Sequence, residues 1–465
     1  MTPIYRPDRG VSSTVKRYLA LSLFVIFIVT LSPIAQESDD RLVYIGLQRT
    51  DSTIYVYDTR TASGQAISDT WSGTVSCAVP APDGSRLAYV QTPFREGLSR
   101  PADEMLVVTD FERGAGVRIA GNAALSCPVW LSDSRRLLYT IEVRENTNTS
   151  VHLYDVESGQ DRVLTTFDSF RQIGFTLAPD DSVIALWEIG QRRGSIQLFD
   201  FASETLTTIV QVTRELSEIQ FSTDANYITF KATGPTIEYF LHDRQTNQTI
   251  VATDDVEPDV FDLAWSPTAN QFAFRTERGG SGDDNVGAVF GTGDGGNRPT
   301  GDVYVYDVAS DRETNISNTP NFRENAPRWS PDGAYIAYQT TDGTVYDVDL
   351  HTRASGDVRR INDRTGDVIP FEILPQWSPD STQLAFVRAQ DTYVYRLPTD
   401  SLTNLTAGIN PMRAFVWSPD NTRIAVESRG FDNLLVIDVI DVNSAQSQRV
   451  AGAAGNNQLG LWLSD

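Results

Sequence analysis

The feature that most restricts this chain is the stretch Pro327–Tyr338 (PRWSPDGAYIAY), whose parts return along most of the sequence. Pro331 presets φ for a tight turn, and Asp332 with Gly333 accept the conformations that follow. The next run, Ile336-Ala337-Tyr338, has the β-branched and aromatic character of a short strand. The W-S-P-D segment therefore reads as a joint between two strands. Counting on the aspartate, the register recurs at Asp83, Asp133, Asp180, Asp224, Thr268, Asp332, Asp380 and Asp420. Three residues earlier stand Pro80, Trp130, Leu177, Phe221, Trp265, Trp329, Trp377 and Trp417, and four residues later an apolar residue, from Leu87 to Ile424. The clearest copies place Pro331, Pro379 and Pro419 directly before the aspartate.

Successive anchors lie 40 to 64 residues apart. Between them a second strand signal ends in Asp (Ile54–Asp58, Val151–Asp155, Ile196–Asp200, Val303–Asp307), and a third follows in Thr314–Ser317 and Leu402–Thr406. Four short strands in a period of about 45 residues predict an all-β chain forming a single closed β-propeller. The repeat count gives nine blades, or eight if one degenerate unit is not a true blade. The chain finishes with Trp462 three residues before Asp465, and Asp39–Tyr44 supplies the strand that would follow. Pairing of these terminal strands is expected to complete the first blade and remove two exposed edges. Residues 277–301 interrupt one unit as a Gly/Asp-rich surface loop. Its G-x-G-x-x-G at Gly291–Gly296 has no strand before it and no helix after it. The single match to a calcium-binding repeat at 279–286 cannot build a β-roll, so no cofactor is expected, with Ca²⁺ there as the alternative.

These repeats resemble TolB-type (WD-repeat-like) propeller repeats, found also in the N-terminal propellers of the prolyl-oligopeptidase and dipeptidyl-peptidase families. The resemblance covers about residues 40–465, with Pro375–Phe386 and Phe415–Val426 as further good copies. Two departures from those families are expected: no room upstream for the small α/β domain of TolB, and no hydrolase domain downstream. The resemblance implies a fold and a habit of binding, and no reaction.

At the N-terminus, basic residues Arg6, Arg9, Lys16 and Arg17 precede the apolar run Tyr18–Leu31 and the small residues Ser32–Ala35. Residues 1–35 are expected to be a signal peptide or an uncleaved membrane anchor, with the N-terminus inside and residues 36–465 delivered outside the cytoplasm. The 14-residue core is shorter than the ~20 residues of a spanning helix, which favours cleavage. The formal charge is −23; the leader carries four cations and one acid, so the remainder stands at −26. Such a surface repels nucleic acid and anionic membranes, leaving the leader as the expected membrane contact. Cys77 and Cys127, the two cysteines, each lie six residues before an anchor. A bridge between them suits an oxidising compartment, but equivalent places on neighbouring blades are expected to exceed the ~7 Å Cα limit, so two separate small buried residues are preferred.

Little points to chemistry. His152, His242 and His351 fall in three different units and are expected to be packed strand residues. No nucleophile elbow, C-x-x-C or H-E-x-x-H occurs, and the repeated Asp residues shape turns. The connections entering the innermost strands carry Arg171, Arg214, Glu218, Asp259, Asp262, Arg323, Glu324, Glu372 and Arg413. Mixed Arg and carboxylate near one axis suits a peptide, a terminal carboxylate or a sugar acid; the competing reading is blade-to-blade ion pairing. The expected function is a protein- or peptide-binding module at the cell envelope, more a binder than an enzyme. The alternative is a carbohydrate lyase or hydrolase in the channel.

Overall fold

The computed structural model describes residues 41–463 except 49–50, 69–70, 94–103, 112–115, 144–147, 168–171, 191–192, 236, 254–259, 277–300, 320–321, 343–345, 362–372, 389, 408–411, 431 and 451–455. The leader and the 279–286 segment thus lie outside the described residues. Every regular element among the described residues is a β-strand. Among the described residues no helix is long and apolar enough to cross a membrane.

Among the described residues, six antiparallel sheets contain four consecutive strands each, over residues 173–212, 215–251, 260–315, 323–360, 376–404 and 412–449. The strand before the W-S-P-D turn comes first in each sheet. The fourth strand is the exposed one, as in Gln248–Val251 and Ser447–Arg449. We call the first strand inner and the fourth outer. The remaining twelve strands form one continuous sheet, where separate blades were expected. It resolves by register into three groups of four. In one, Asn456–Trp462 pairs with Arg41–Gln48, so the last strand and the first are neighbours. Short ladders join the groups, Asp51 and Ser52 opposite Ser72 and Trp71, and Ala124 and Leu125 opposite Glu142 and Ile141. Trp71–Pro80 and Gly116–Leu125 have ten residues each, long enough to reach the next group's strands.

The repeat's residue types are explained by contacts within and between sheets. Ser330 Oγ donates to Asp332 Oδ1 at 2.5 Å and accepts from Tyr335 N, while Asp332 Oδ1 also accepts from Ala334 N. The tryptophan reaches outward. Indole N–H groups of Trp130, Trp329, Trp377, Trp417 and Trp462 donate to Val79, Ala264, Arg328, Gln376 and Val416 carbonyls, each on the preceding inner strand, at 2.9–3.2 Å. Trp265 instead reaches Thr229 Oγ1 at 2.9 Å. A second row joins the turns, where Ser134 Oγ, Ser381 Oγ and Asn421 Oδ1 accept from the anchor N–H of Asp83, Asp332 and Asp380.

The apolar core is divided rather than central. Nine clusters among the described residues each draw from two sequence-adjacent groups of strands. One joins Leu42, Tyr44 and Tyr57 to Ala425, Ile437 and Val439, packing the first group against the last full sheet. Burial against neighbours on both sides is what lets short strands hold without a common centre.

Candidate functional site

The inner strands carry a recurrent irregularity. Ladders slip within Trp71–Pro80, Glu215–Phe221, Val260–Trp265 and Arg323–Trp329. Cys77, Glu218, Asp262 and Ala326, each six residues before its anchor, have φ of 49–59°. A non-glycine residue there costs roughly 1–2 kcal/mol, and the bulge re-aims its side chain out of the pleat. Two of these positions carry the expected acids Glu218 and Asp262.

The same position corrects the cysteine expectation. Cys77 and Cys127 form a disulfide across adjacent groups, with Cα atoms 5.1 Å apart. Sheets that fan outward are closest at their inner strands, so equivalent positions there come within bridging range.

The bulges of three sheets are linked in a chain. Glu218 accepts from Lys231 Nζ at 2.8 Å and from Tyr239 Oη. Tyr239 Oη in turn accepts from Leu263 N at 3.3 Å, in the next sheet. Asp262 Oδ2 is 3.3 Å from both Arg275 Nε and Ala326 N, the latter in the sheet beyond. The Phe261 ring is in reach of two cations, Lys231 at 5.2 Å and Arg275 at 4.3 Å from its centre. Lys231, Arg275, Phe261 and Tyr239 were not singled out from the sequence, because their roles depend on neighbours in other sheets.

Beyond Ala326 the same strand carries Glu324, fully buried at 0% exposure. Its Oε1 accepts from Thr319 Oγ1 and, at 3.2 Å, from Thr340 Oγ1. Its backbone N–H donates to Gly301 O at 2.8 Å. Oε2 has no hydrogen-bond partner among the described residues, nor has the hydroxyl of buried Tyr338. Burial pushes the Glu324 carboxyl up to about 7; bonds from Thr319 and Thr340 oppose this, and Asp302 and Asp349 reinforce it. Asp347 and Asp349, each 2% exposed, share Arg360, which lies 3.4 Å from Asp347 and bonds both oxygens of Asp349.

The sequence held a signal for this cluster. Third strands elsewhere place Tyr304 and Tyr393 opposite outer-strand Asn315 and Asn404. Those asparagines bind Asp302 and Asp391. In this sheet the pair becomes Asp349 opposite Arg360, a concerted departure from the repeat.

The other expected residues are dispersed. Arg214 pairs with Glu238. Arg323 opens its strand beside Gly301. Exposed Arg413 lies 3.9 Å from buried Glu427, whose other oxygen accepts from Leu459 N at 2.7 Å. Arg171, Asp259 and Glu372 lie outside the described residues. The three histidines are buried in separate sheets. Burial holds His242 below its ordinary range and His351 at about 4. His152 stacks on Tyr139, its Nδ1 2.9 Å from Asp161 and its Nε2 2.7 Å from Ser150 Oγ. Among the described residues no group of three or more His, Cys, Asp or Glu side chains is placed to hold a metal ion.

Residues 339–433 match the family model described as dipeptidyl peptidase IV (DPP IV) N-terminal region. Dipeptidyl-peptidase 5 of Porphyromonas gingivalis is 25% identical over 159 residues, 32% of this chain and 21% of that protein. The match thus spans about a fifth of that curated relative. Among solved structures, Porphyromonas gingivalis dipeptidyl peptidase 4 aligns over 88% of this chain and 65% of its own, at 12% identity and a TM-score of 0.54. TolB from Acinetobacter baumannii aligns over 80% and 82%, at 14% identity and a TM-score of 0.34. The chain is a β-propeller similar to the N-terminal propeller of dipeptidyl peptidase IV.

Proposed function

We propose that this propeller works outside the cytoplasm as a binding module, docking a protein or peptide at the end of the inner strands. The observation that carries this reading is the linked set of bulges, which holds half-exposed Glu218 and Asp262 in fixed positions beside Lys231, Phe261 and Arg275. Fixed acids, cations and an aromatic ring suit the backbone and charged ends of a peptide. The Cys77–Cys127 bridge supports an oxidising compartment. We infer nine blades closed into a ring, on the pairing of the first and last strands and the apolar cluster beside it.

A photo-crosslinking residue placed singly at Glu218, Asp262 or Arg413, and for control at Glu204 or Asp400, tests this in producing cells. The expected result is one recurring partner from the first three positions and none from the controls. Equal capture at both sets, or none at either, would sink the proposal.

A further inference from the structure

Three acids of the 323–360 sheet, Glu324, Asp347 and Asp349, are almost completely removed from solvent. Asp302, from the preceding sheet, lies close enough to act on Glu324 through its charge. Asp302 is occupied by Asn315, Ser317 and the Thr319 N–H, and Asp347 and Asp349 by Arg360. Arg323 and Arg275 flank Gly301 on the other side, each within 3.6 Å of where a side chain on that glycine would begin. Among the described residues one oxygen of Glu324 has no partner, nor has the Tyr338 hydroxyl, which lies close enough to feel the Glu324 charge. A buried carboxylate with an empty lone pair and acidic neighbours is far costlier than the neutral acid, whose O–H can donate. The Glu324 N–H takes Gly301 O from the sheet before, and its side chain takes Thr319 in the connection between the two sheets.

We propose that these buried acids form a proton-binding latch: while Glu324 is neutral its strand end stays seated against the end of the 260–315 sheet, and its ionisation loosens that seam. Bonds from Thr319 and Thr340 do not offset the cost of burying the charge. The carboxyl is raised in the folded protein, so folding takes up a proton. The latch is therefore strongest below the ordinary Glu range, weakens as pH climbs towards about 7, and is constant above that.

Hydrogen exchange by mass spectrometry, corrected for the intrinsic pH dependence of exchange, reads the seam at the Thr319 and Glu324 amides. Protection in the wild type should fall by roughly tenfold per pH unit between about pH 5 and about pH 7, then level off. Glu324→Gln should hold protection flat across that range. Parallel profiles for the two proteins would overturn the latch. Should the glutamine variant not fold, the infrared carbonyl band of a neutral buried carboxyl gives a second reading. It should be present in the wild type at about pH 6 and gone by about pH 9, with its midpoint raised in Thr340→Val, which removes a bond favouring the anion. A band missing at about pH 6, or unmoved by Thr340→Val, counts against the proposal.

Discussion

Removing the Cys77–Cys127 bridge should be one of the more damaging double changes available in this chain. The cysteines are 50 residues apart in sequence. Cross-linking a loop of that size lowers the entropy of the unfolded chain by an amount worth about 4 kcal/mol at room temperature. The bridge also clamps two groups already joined by the Trp130 indole bond and the Asp83–Ser134 contact. Its loss should therefore free this region first, before the separate sheets that follow. The assay is guanidinium unfolding of the wild type and of Cys77→Ala/Cys127→Ala, followed by tryptophan fluorescence. The double variant should unfold at clearly lower denaturant, and reductant should bring the wild type to the same midpoint while leaving the variant unchanged. Two results would refute the reasoning. One is a wild type whose thiols react in denaturant without reductant, which removes the bridge itself. The other is an oxidised wild type with the same midpoint as the variant, which removes its energetic role.

Three further outcomes follow from individual contacts. Trp329→Phe keeps an aromatic ring but deletes the donor to Ala264 O, and should cost about 1–2 kcal/mol in chemical denaturation. Gly333→Ala places a methyl 2.1 Å from Thr268 Oγ1 at φ +71°, so it should cost about 1–3 kcal/mol, with Thr268→Ala restoring part of the loss. Arg360→Asn takes away the guanidinium that buried Asp349 bonds through both oxygens and should cost about 3–5 kcal/mol. Adding Asp349→Tyr rebuilds the Tyr–Asn pair of the neighbouring sheets, and a double-mutant cycle should show most of the loss recovered.

The repeat made the strands legible because its residues act locally. Pro331, Asp332 and Gly333 set a turn whose hydrogen bonds close within five residues. Trp329 was legible as a marker, although its partner, Ala264, lies 65 residues away. What the sequence did not disclose depends on how neighbouring sheets approach one another. The disulfide depends on how near neighbouring inner strands come, and the joined twelve-stranded sheet depends on strand ends that reach across groups. At the candidate site, Glu218, Asp262 and Glu324 were found as charged residues near inner strands. Their partners Lys231, Tyr239, Arg275, Thr319 and Thr340 follow only from pairing and packing. The exchange of Tyr and Asn for Asp349 and Arg360 was visible in the letters, but its meaning needs the register that sets the two opposite each other.

The antiparallel pairing of Arg41–Gln48 with Asn456–Trp462 also decides how the molecule bears mechanical load. Both strands leave the sheet at one corner, where Leu463 N bonds Arg41 O at 2.9 Å. Tension applied between those two ends acts across the first rung alone and peels the ladder open one bond at a time, instead of shearing all the rungs together. Pulled from its ends, the molecule should yield at low force and begin at this corner, while a pull exerted through one end and the opposite rim would engage whole strands. The direction of tension, more than the number of hydrogen bonds, then sets how much force the fold withstands.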